Sequence, residues 1–398
     1  MPVPELAPPE DPTWLGGPVG IQEWPESDSV QPFVRYRALS QSHERALASG
    51  WTDQRYVDMV TRLDDAVAEV NGTGFRVTSS SLEKTLAESA GHDSDLWVKD
   101  ETGNVAGAHK ARHLFGMVLH LELDGLAVGA PLAISSCGNA AIAAATVAAA
   151  AGRPLQVFVP TWAGGFVLER LHELGAQVQP CERRDDEAGD PCFLRFREAV
   201  AAGATAFGCQ GPEDPRTIDG GRTLGWEVAE QVSNLERVLI QVGGGALGSS
   251  ISQGLWTATR LGLMDSMPRI DFVQTEGCAP LATAMNALLA AHPDRAEAIA
   301  AAAAEPERWM HPWPTEPASL ADGILDDVTY DWVVLAWTML ATGGSPIVVD
   351  EHHVAEAQRL SAVTGISASA TGTAGFAGLL DHPDPALSTL VAFTGVEQ

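Results

Sequence analysis

The sequence predicts an α/β protein of two lobes, each built on a mostly parallel, twisted sheet flanked by helices. Two series of alternating strand and helix patterns indicate this class, one beginning near Pro131 and the other near Thr217. Buried strands that alternate with helices of this length are typical of βαβ units and a parallel sheet. At 398 residues the chain is long enough to bury the core of two lobes.

The first series is marked by apolar runs that end at glycine or proline. It predicts strands at 131–135, 155–159 and 176–180, with helices at 140–151, 165–174 and 193–202. The second series predicts helices at 217–229, 281–304 (broken near Pro293), 331–341 and 352–364, and strands at 237–242, 270–274 and 347–349. Helical patterns also run from Pro32 to Glu69.

The first 32 residues contain eight prolines and little periodicity, so we predict an arm that is neither a helix nor a central strand. The sequence alone leaves open whether this arm is disordered, packs on the body of the protein or packs on a second subunit.

Charge and cysteine usage limit the partners and the compartment. The formal charge is −28, from 52 acidic and 24 basic residues, whereas nucleic acids and anionic membranes attract cationic surfaces. Five cysteines without a Cys-x-x-Cys pair argue against a disulfide framework. The N-terminus lacks the features of a secretory signal, and the Ala-rich run 140–152 is too short to span a bilayer. We therefore expect a cytoplasmic, reduced protein without nucleic-acid or membrane partners.

Lys110 is the first candidate for chemistry. It lies where a turn-rich loop meets a predicted helix, and its small neighbours Ala106, Gly107 and Ala108 leave room for a flat ligand. Nearby backbone N–H groups disfavour an extra proton on the amine, which suits a Schiff-base lysine. The alternative is an ordinary surface lysine.

The loop Gly243-Gly244-Gly245-Ala246-Leu247-Gly248 follows a predicted strand and opens a helix, so its N–H groups can hold a phosphate. It also matches G-x-G-x-x-G, which would suggest a dinucleotide and hence an NAD(P)-dependent oxidoreductase. That function expects an acidic residue at the end of the next strand, and Glu276 comes late. A tight turn with close helix packing is the structural alternative.

Two further turns have the same position before a helix. The residues Ser136, Cys137, Gly138 and Asn139 can clamp a carboxylate, and Thr371 offers one hydroxyl among small residues; simple helix caps are the alternative for both. His109 and His113 have the spacing of a zinc pair, but Lys110 between them opposes a cation, so we predict no metal.

Taken in order, the lysine loop, the Ser-x-Gly-Asn loop, the glycine-rich loop and the C-terminal hydroxyl turn resemble the fold-type II pyridoxal-phosphate enzymes, the tryptophan synthase β-like superfamily. The threonine dehydratase and threonine synthase branch is the most similar, since the segment 106–112 stands where those families have Gly-Ser-Phe-Lys-x-Arg. The Ala-His before Lys110 is instead similar to tryptophan synthase β chains, whose glutamate-bearing glycine motif is not evident here.

The resemblance implies a large cofactor-binding domain of residues 33–114 and 209–398 and a small substrate-carboxylate domain of residues 115–208. Lys110 would carry pyridoxal 5'-phosphate as a Schiff base and then act as the base at Cα. Asn139 would bond the phenolic oxygen, Gly243 to Leu247 would wrap the phosphate, and Thr371 would face the pyridine nitrogen. The substrate carboxylate would bind at Ser136, Cys137, Gly138 and Asn139, with Cys137 a departure from the family's small or hydroxyl residue.

A hydroxyl at the pyridine nitrogen does not hold it protonated, so the ring is a weaker electron sink and expulsion of a β-substituent is favoured. We expect β-elimination on a small hydroxy-amino acid such as threonine or serine, with a replacement reaction of the threonine synthase kind as the second choice. A catalytically silent pyridoxal-phosphate binder is a third. The resemblance alone suggests a homodimer.

Overall fold

The computed structural model describes residues 6–184 and 190–396 and contains two sheets. The large sheet has the strand order β1-β2-β10-β7-β8-β9, and every pairing in it except β1 with β2 is parallel. The small sheet has the order β5-β4-β3-β6 and is parallel throughout. The strands are β1 Ser80–Leu82, β2 Leu96–Asp100, β3 Leu132–Ser135, β4 Leu155–Pro160, β5 Gln177–Cys181, β6 Thr205–Ala206, β7 Arg237–Gln241, β8 Arg269–Thr275, β9 Pro346–Val349 and β10 Thr389–Phe393.

Helices cover the sheets and connect most of the parallel strands. They are α1 Pro32–Arg35, α2 Gln41–Ala48, α3 Asp53–Asn71, α4 Lys84–Ser89, α5 Lys110–Leu123, α6 Asn139–Ala150, α7 Gly165–Glu173, α8 Pro191–Ala201, α9 Arg216–Gln231, α10 Ala246–Arg260, α11 Pro280–Ala291, α12 Arg295–Ala304, α13 Trp332–Thr342, α14 Glu351–Ser361 and α15 Ala370–Asp381. The predicted α/β class with mostly parallel sheets is therefore confirmed. The domain boundaries stay a prediction.

Glycines allow three helices to pack closely around the large lobe. A Cβ on Gly116 of α5 would lie 2.5 Å from the Cα of Gly220 in α9. A Cβ on Gly225 of α9 would lie 3.0 Å from the Cα of Gly254 in α10. Helix α5 begins at Lys110 and α10 begins after the glycine-rich loop, so these contacts fix the lysine and the loop relative to one another.

The proline-rich arm packs on the large lobe over its described part, residues 6–31. The Trp14 ring lies between Trp256 and Trp337, with centroids 5.0 and 4.6 Å away. Trp24 donates its indole N–H to Glu230 Oε1 at 2.9 Å. Of the alternatives left open by the sequence, packing on the body is therefore the one observed; residues 1–5 lie outside the described residues.

No helix within residues 6–184 and 190–396 combines the length and the apolar character needed to cross a membrane.

Candidate active site

Lys110 is the first residue of α5 and its side chain is half-buried. The loop before it turns sharply, with positive φ at Ala106 (57°) and Gly107 (67°). Backbone contacts pin this loop to the segment after β10: Ala108 pairs with Gly395, and the Val396 N–H donates to the Gly107 carbonyl at 3.1 Å. The position of the lysine therefore depends on residues almost 300 positions away.

A fully buried group of four charges anchors α5 two residues beyond Lys110. Arg112 pairs with Glu227 at 2.6 Å and with Glu101 at 2.8 Å, and Lys99 pairs with Glu227 at 2.7 Å. Burial alone would raise the pKa of Glu227, but Arg112 and Lys99 outweigh it and lower that pKa. Two cations and two anions balance one another, which makes burial of all four tolerable.

Two neutral histidines flank the lysine. Burial, together with the positive charges of Lys110 and Arg112, lowers the pKa of His113 to about 4, against the opposing effect of its hydrogen bond to the Thr217 carbonyl. That bond is 2.9 Å long and fixes Nδ1 as the donor. His109 Nδ1 faces the Thr394 carbonyl at 3.3 Å, and burial lowers its pKa well below the usual value. In both histidines the Nδ1 atom is therefore engaged with a backbone carbonyl.

The residues Ser136, Cys137 and Gly138 form the turn between β3 and α6, and Asn139 begins α6. Asn139 lies close to Gly395, which pairs with the lysine loop. A Cβ on Gly395 would lie 3.0 Å from Asn139 Nδ2. Burial raises the pKa of the Cys137 thiol, as do the charges of Asp322 and Asp190, while Lys110 opposes them. The turn thus faces the lysine from the small sheet.

The glycine-rich loop connects β7 to α10, with Gly245 in the left-handed region at φ 104°. Side chains at Gly243 and Gly244 have no room, because a Cβ on Gly243 would collide with the Asp326 carboxylate and one on Gly244 would lie 2.9 Å from the Tyr330 ring. A Cβ on Gly244 would also lie 3.8 Å from the Asp326 carboxyl carbon. Ala246 and Leu247 follow as the first, buried residues of α10. The loop is therefore bare backbone that leads into a helix N-terminus, which suits a phosphate.

Thr371 is the second residue of α15. Its Oγ1 accepts a hydrogen bond from the Gly323 N–H at 2.9 Å and donates to Asp322 Oδ1 at 3.2 Å. The next residue, Gly372, packs against Gly395, as the other two loops do, because a Cβ on Gly372 would lie 2.7 Å from the Gly395 carbonyl. Contacts through Gly395 therefore join the Thr371 turn, Asn139 and the lysine loop.

Sequence reasoning missed two parts of this site. Segment 321–331 packs on the glycine-rich loop, and the sequence patterns predict no role for it. Gln241, at the end of β7, donates from its buried amide to Gly372 and Thr394 at 2.8 and 2.6 Å and so ties the loop to α15. Two features of the sequence could have marked these parts. They are three aspartates close together at 322, 326 and 327, and a glutamine near the end of an apolar strand that precedes the glycines.

A family model described as "Pyridoxal-phosphate dependent enzyme" matches residues 77–393. The chain belongs to this family. The match includes the lysine, the Asn139 turn, the glycine-rich loop and Thr371. The site's chemistry agrees with it, because a half-buried amine and a glycine-rich loop at a helix N-terminus suit an aldehyde that carries a phosphate.

Curated relatives give a similar picture over part of the chain. A threonine synthase from Methanosarcina acetivorans is 29% identical over 207 residues, 50% of this chain and 48% of that protein. An L-threonine ammonia-lyase from Thermotoga maritima is 28% identical over 175 residues, 44% of this chain and 41% of that protein. The chain spans about half the length of the curated relatives it matches.

The solved structure of the processed form of threonine deaminase isoform 2 from Solanum lycopersicum has a TM-score of 0.64 to this chain at 15% identity, covering 87% of this chain and 91% of that one. At this identity the likeness concerns the fold, which is that of the fold-type II enzymes.

Proposed function

We propose that the protein catalyses β-elimination on a small hydroxy-amino acid such as serine or threonine and releases a 2-oxo acid and ammonia. The observation that supports the proposal is the contiguity of Lys110, the Asn139 turn, the glycine-rich loop and the Thr371 turn, which are joined through Gly395 and Gln241. The ammonia-lyase among the relatives supports the same choice.

Each part of the site has a role in this proposal. The bound cofactor supplies an electron sink for the bonds at Cα. Lys110 attaches the cofactor and then takes the proton from Cα. The N–H groups from Gly243 to Leu247 hold the phosphate, and Asn139 bonds the phenolic oxygen. Residues 136–139 receive the substrate carboxylate at a helix N-terminus, where the helix dipole favours an anion.

Thr371 explains why elimination is favoured over transamination in this proposal. A hydroxyl does not keep the ring nitrogen protonated, so long-lived carbanions at Cα are disfavoured. Its single proton serves either Asp322, as observed, or a ring nitrogen, but not both.

The test combines colour, trapping and product analysis. The purified protein should be yellow, and borohydride should fix the cofactor on Lys110, as seen by mass spectrometry of the peptide. Lys110→Ala should lower kcat on serine or threonine by at least about 10²-fold, since a base in the transition state contributes that much. Lys84→Ala, at an exposed lysine, is the matched control. A colourless holoprotein, or trapping elsewhere, contradicts the proposal.

A replacement reaction of the threonine synthase kind is the second candidate, supported by the relative from Methanosarcina acetivorans. Product analysis separates the two, because replacement yields a new amino acid and elimination yields a 2-oxo acid and ammonia. Saturable binding of a dinucleotide would instead favour an oxidoreductase. We also propose that the protein is a cytoplasmic homodimer. Sedimentation of the purified protein tests the dimer.

A further inference from the structure

Asp326 is a carboxylate of the cleft that the proposed roles do not use. It packs against the glycine-rich loop, because a Cβ on Gly243 would collide with Asp326 Oδ2, and the charge of the Lys110 amine acts on it. Its side chain is half-buried, so it lines the cleft rather than the interior. The backbone around it is held in place, since Asp326 O accepts from the Cys278 thiol at 3.3 Å.

The surroundings of Asp326 favour its protonated form. Burial raises the pKa of Asp326, and so does the neighbouring Asp327, while Lys110 and the Gly244 N–H oppose them. The other titratable groups that face it are Tyr330, Cys209 and Cys278, whose own pKa values are raised by burial first and also by the charge of Asp326. They therefore stay neutral and add no cation. A phosphate on the glycine-rich loop would add negative charge beside the carboxyl and strengthen its hold on the proton.

We infer that Asp326 is the acid that protonates the leaving hydroxyl group in the proposed β-elimination. The inference rests on the proposed function. Hydroxide is a poor leaving group, so the reaction needs a positioned acid as well as the base at Cα. With the carboxylate at residues 136–139 and Cα at Lys110, we place the small side chain toward segment 321–331, where Asp326 packs on the glycine-rich loop.

The step balances without any further reactant. Lys110 takes the proton from Cα, and the electron pair of that C–H bond becomes the second bond between Cα and Cβ. The Cβ–O bond breaks, the oxygen keeps its electron pair, takes the proton of Asp326 and leaves as water. The proton on Lys110 then passes to the Asp326 carboxylate, whose charge interacts with that of the amine, and both groups are ready for the next turnover.

The test compares two leaving groups. Chloride leaves without a proton, so Asp326→Asn should lower kcat/KM for serine by about 10²- to 10³-fold and leave that for β-chloroalanine within about threefold. Asp327→Asn, at the exposed neighbour, is the matched control and should change neither rate by more than about threefold. Equal losses on both substrates, or no loss on either, would overturn the inference.

A binding measurement gives a readout that does not depend on turnover. Asp326→Asn removes an acid that repels a phosphate when ionised, so the apoprotein variant should bind pyridoxal phosphate, followed by absorbance, at least as tightly as the parent. Binding weaker by more than about tenfold would make Asp326 a support of the loop and overturn its role as an acid.

One rival reading involves an ionised Asp326. A carboxylate in this place would pair with a β-ammonium group. The parent protein would then prefer 2,3-diaminopropionate to serine, and Asp326→Asn would lose that preference. This result would also overturn the inference. If the parent eliminates nothing from serine, threonine or β-chloroalanine, the proposed function itself fails. If it does eliminate, only the comparison of variants decides the role of Asp326.

Discussion

The two sheets are buried to different degrees, although both are made of parallel strands. In the large sheet every residue of β7 and β10 is buried, because helices cover both faces. In the small sheet the central strands β3 and β4 are mostly buried, but the edge strand β5 is mostly exposed and the edge strand β6 has only two residues. Large apolar side chains are also exposed beside it, with Trp162 and Phe166 at 77% and 60%.

The difference divides the candidate site into a firmly held part and a loosely held part. Lys110, the glycine-rich loop and Thr371 belong to elements around the large sheet, while residues 136–139 connect β3 of the small sheet to α6. Regions with fewer buried contacts open locally at lower free energy. We therefore expect the cofactor side of the cleft to be rigid and the turn proposed to bind the substrate carboxylate to adjust on binding.

The largest effect on this comparison should come from the buried charges behind Lys110. Glu227→Gln leaves Arg112 and Lys99 with one anion, Glu101, between them. Breaking a buried ion pair in this way costs about 3–5 kcal/mol. Denaturant unfolding should show that loss in the free energy of unfolding.

The matched control lies beside the small sheet. Glu198→Gln removes a largely exposed carboxylate that pairs with Arg184 at 3.3 Å and with Arg195 at 3.0 Å, and it should cost less than about 1 kcal/mol. Similar losses for Glu227→Gln and Glu198→Gln would mean that the two lobes do not differ as described.

Acid should destabilise the large lobe through His113. Burial lowers the pKa of His113 from 6.5 to about 4 in the folded protein, so the unfolded chain takes up a proton that the folded chain does not. Its contribution is complete above pH 6.5 and is lost as the pH falls to about 4, by an amount on the order of 3 kcal/mol.

The measurement is the free energy of unfolding at a series of pH values for the parent and for His113→Gln, which has no such proton to gain. The variant should have a shallower slope between pH 6.5 and 4. His172→Gln, at an exposed histidine beside the small sheet, should keep the slope of the parent. An unchanged slope in His113→Gln would show that this histidine is not the source.

The smallest effect should come from the exposed side of the small lobe. Phe166→Ser replaces a largely exposed ring and should change the free energy of unfolding by less than about 0.5 kcal/mol. Phe272→Ala in β8, a fully buried ring, should cost about 3–5 kcal/mol. A large loss in Phe166→Ser would reveal packing of this face against another surface in solution.

The sequence is sufficient where local patterns decide the structure. Glycines and prolines at the ends of periodic or apolar runs predict β3, β4, α6 and β7 within a residue or two of their observed bounds. The apolar run at Leu96 carries no strand prediction, and neither does the segment of β10. The two strands pair with each other, and β10 also pairs with β7; these are long-range contacts that no local pattern contains.

The same limit applies to the candidate site. Lys110, Asn139, the glycines and Thr371 each follow a recognisable turn before a helix. Gly395 joins the turns of Lys110, Asn139 and Thr371, and Gln241 ties the glycine-rich loop to α15. Asp326 lies in an irregular segment, where neither periodicity nor turn chemistry marks a side chain that faces the cleft. Its position depends on how segment 321–331 packs on the glycine-rich loop.

The place of β10 in the large sheet has a consequence for how the protein is made. During synthesis β2 and β7 leave the ribosome long before residues 389–393, which must insert between them. Until then the nascent chain carries two unpaired apolar strand edges, which are surfaces prone to aggregation. We expect the growing chain to depend on chaperones up to this point, and the lysine loop, which pairs with Gly395, to be ordered only afterwards.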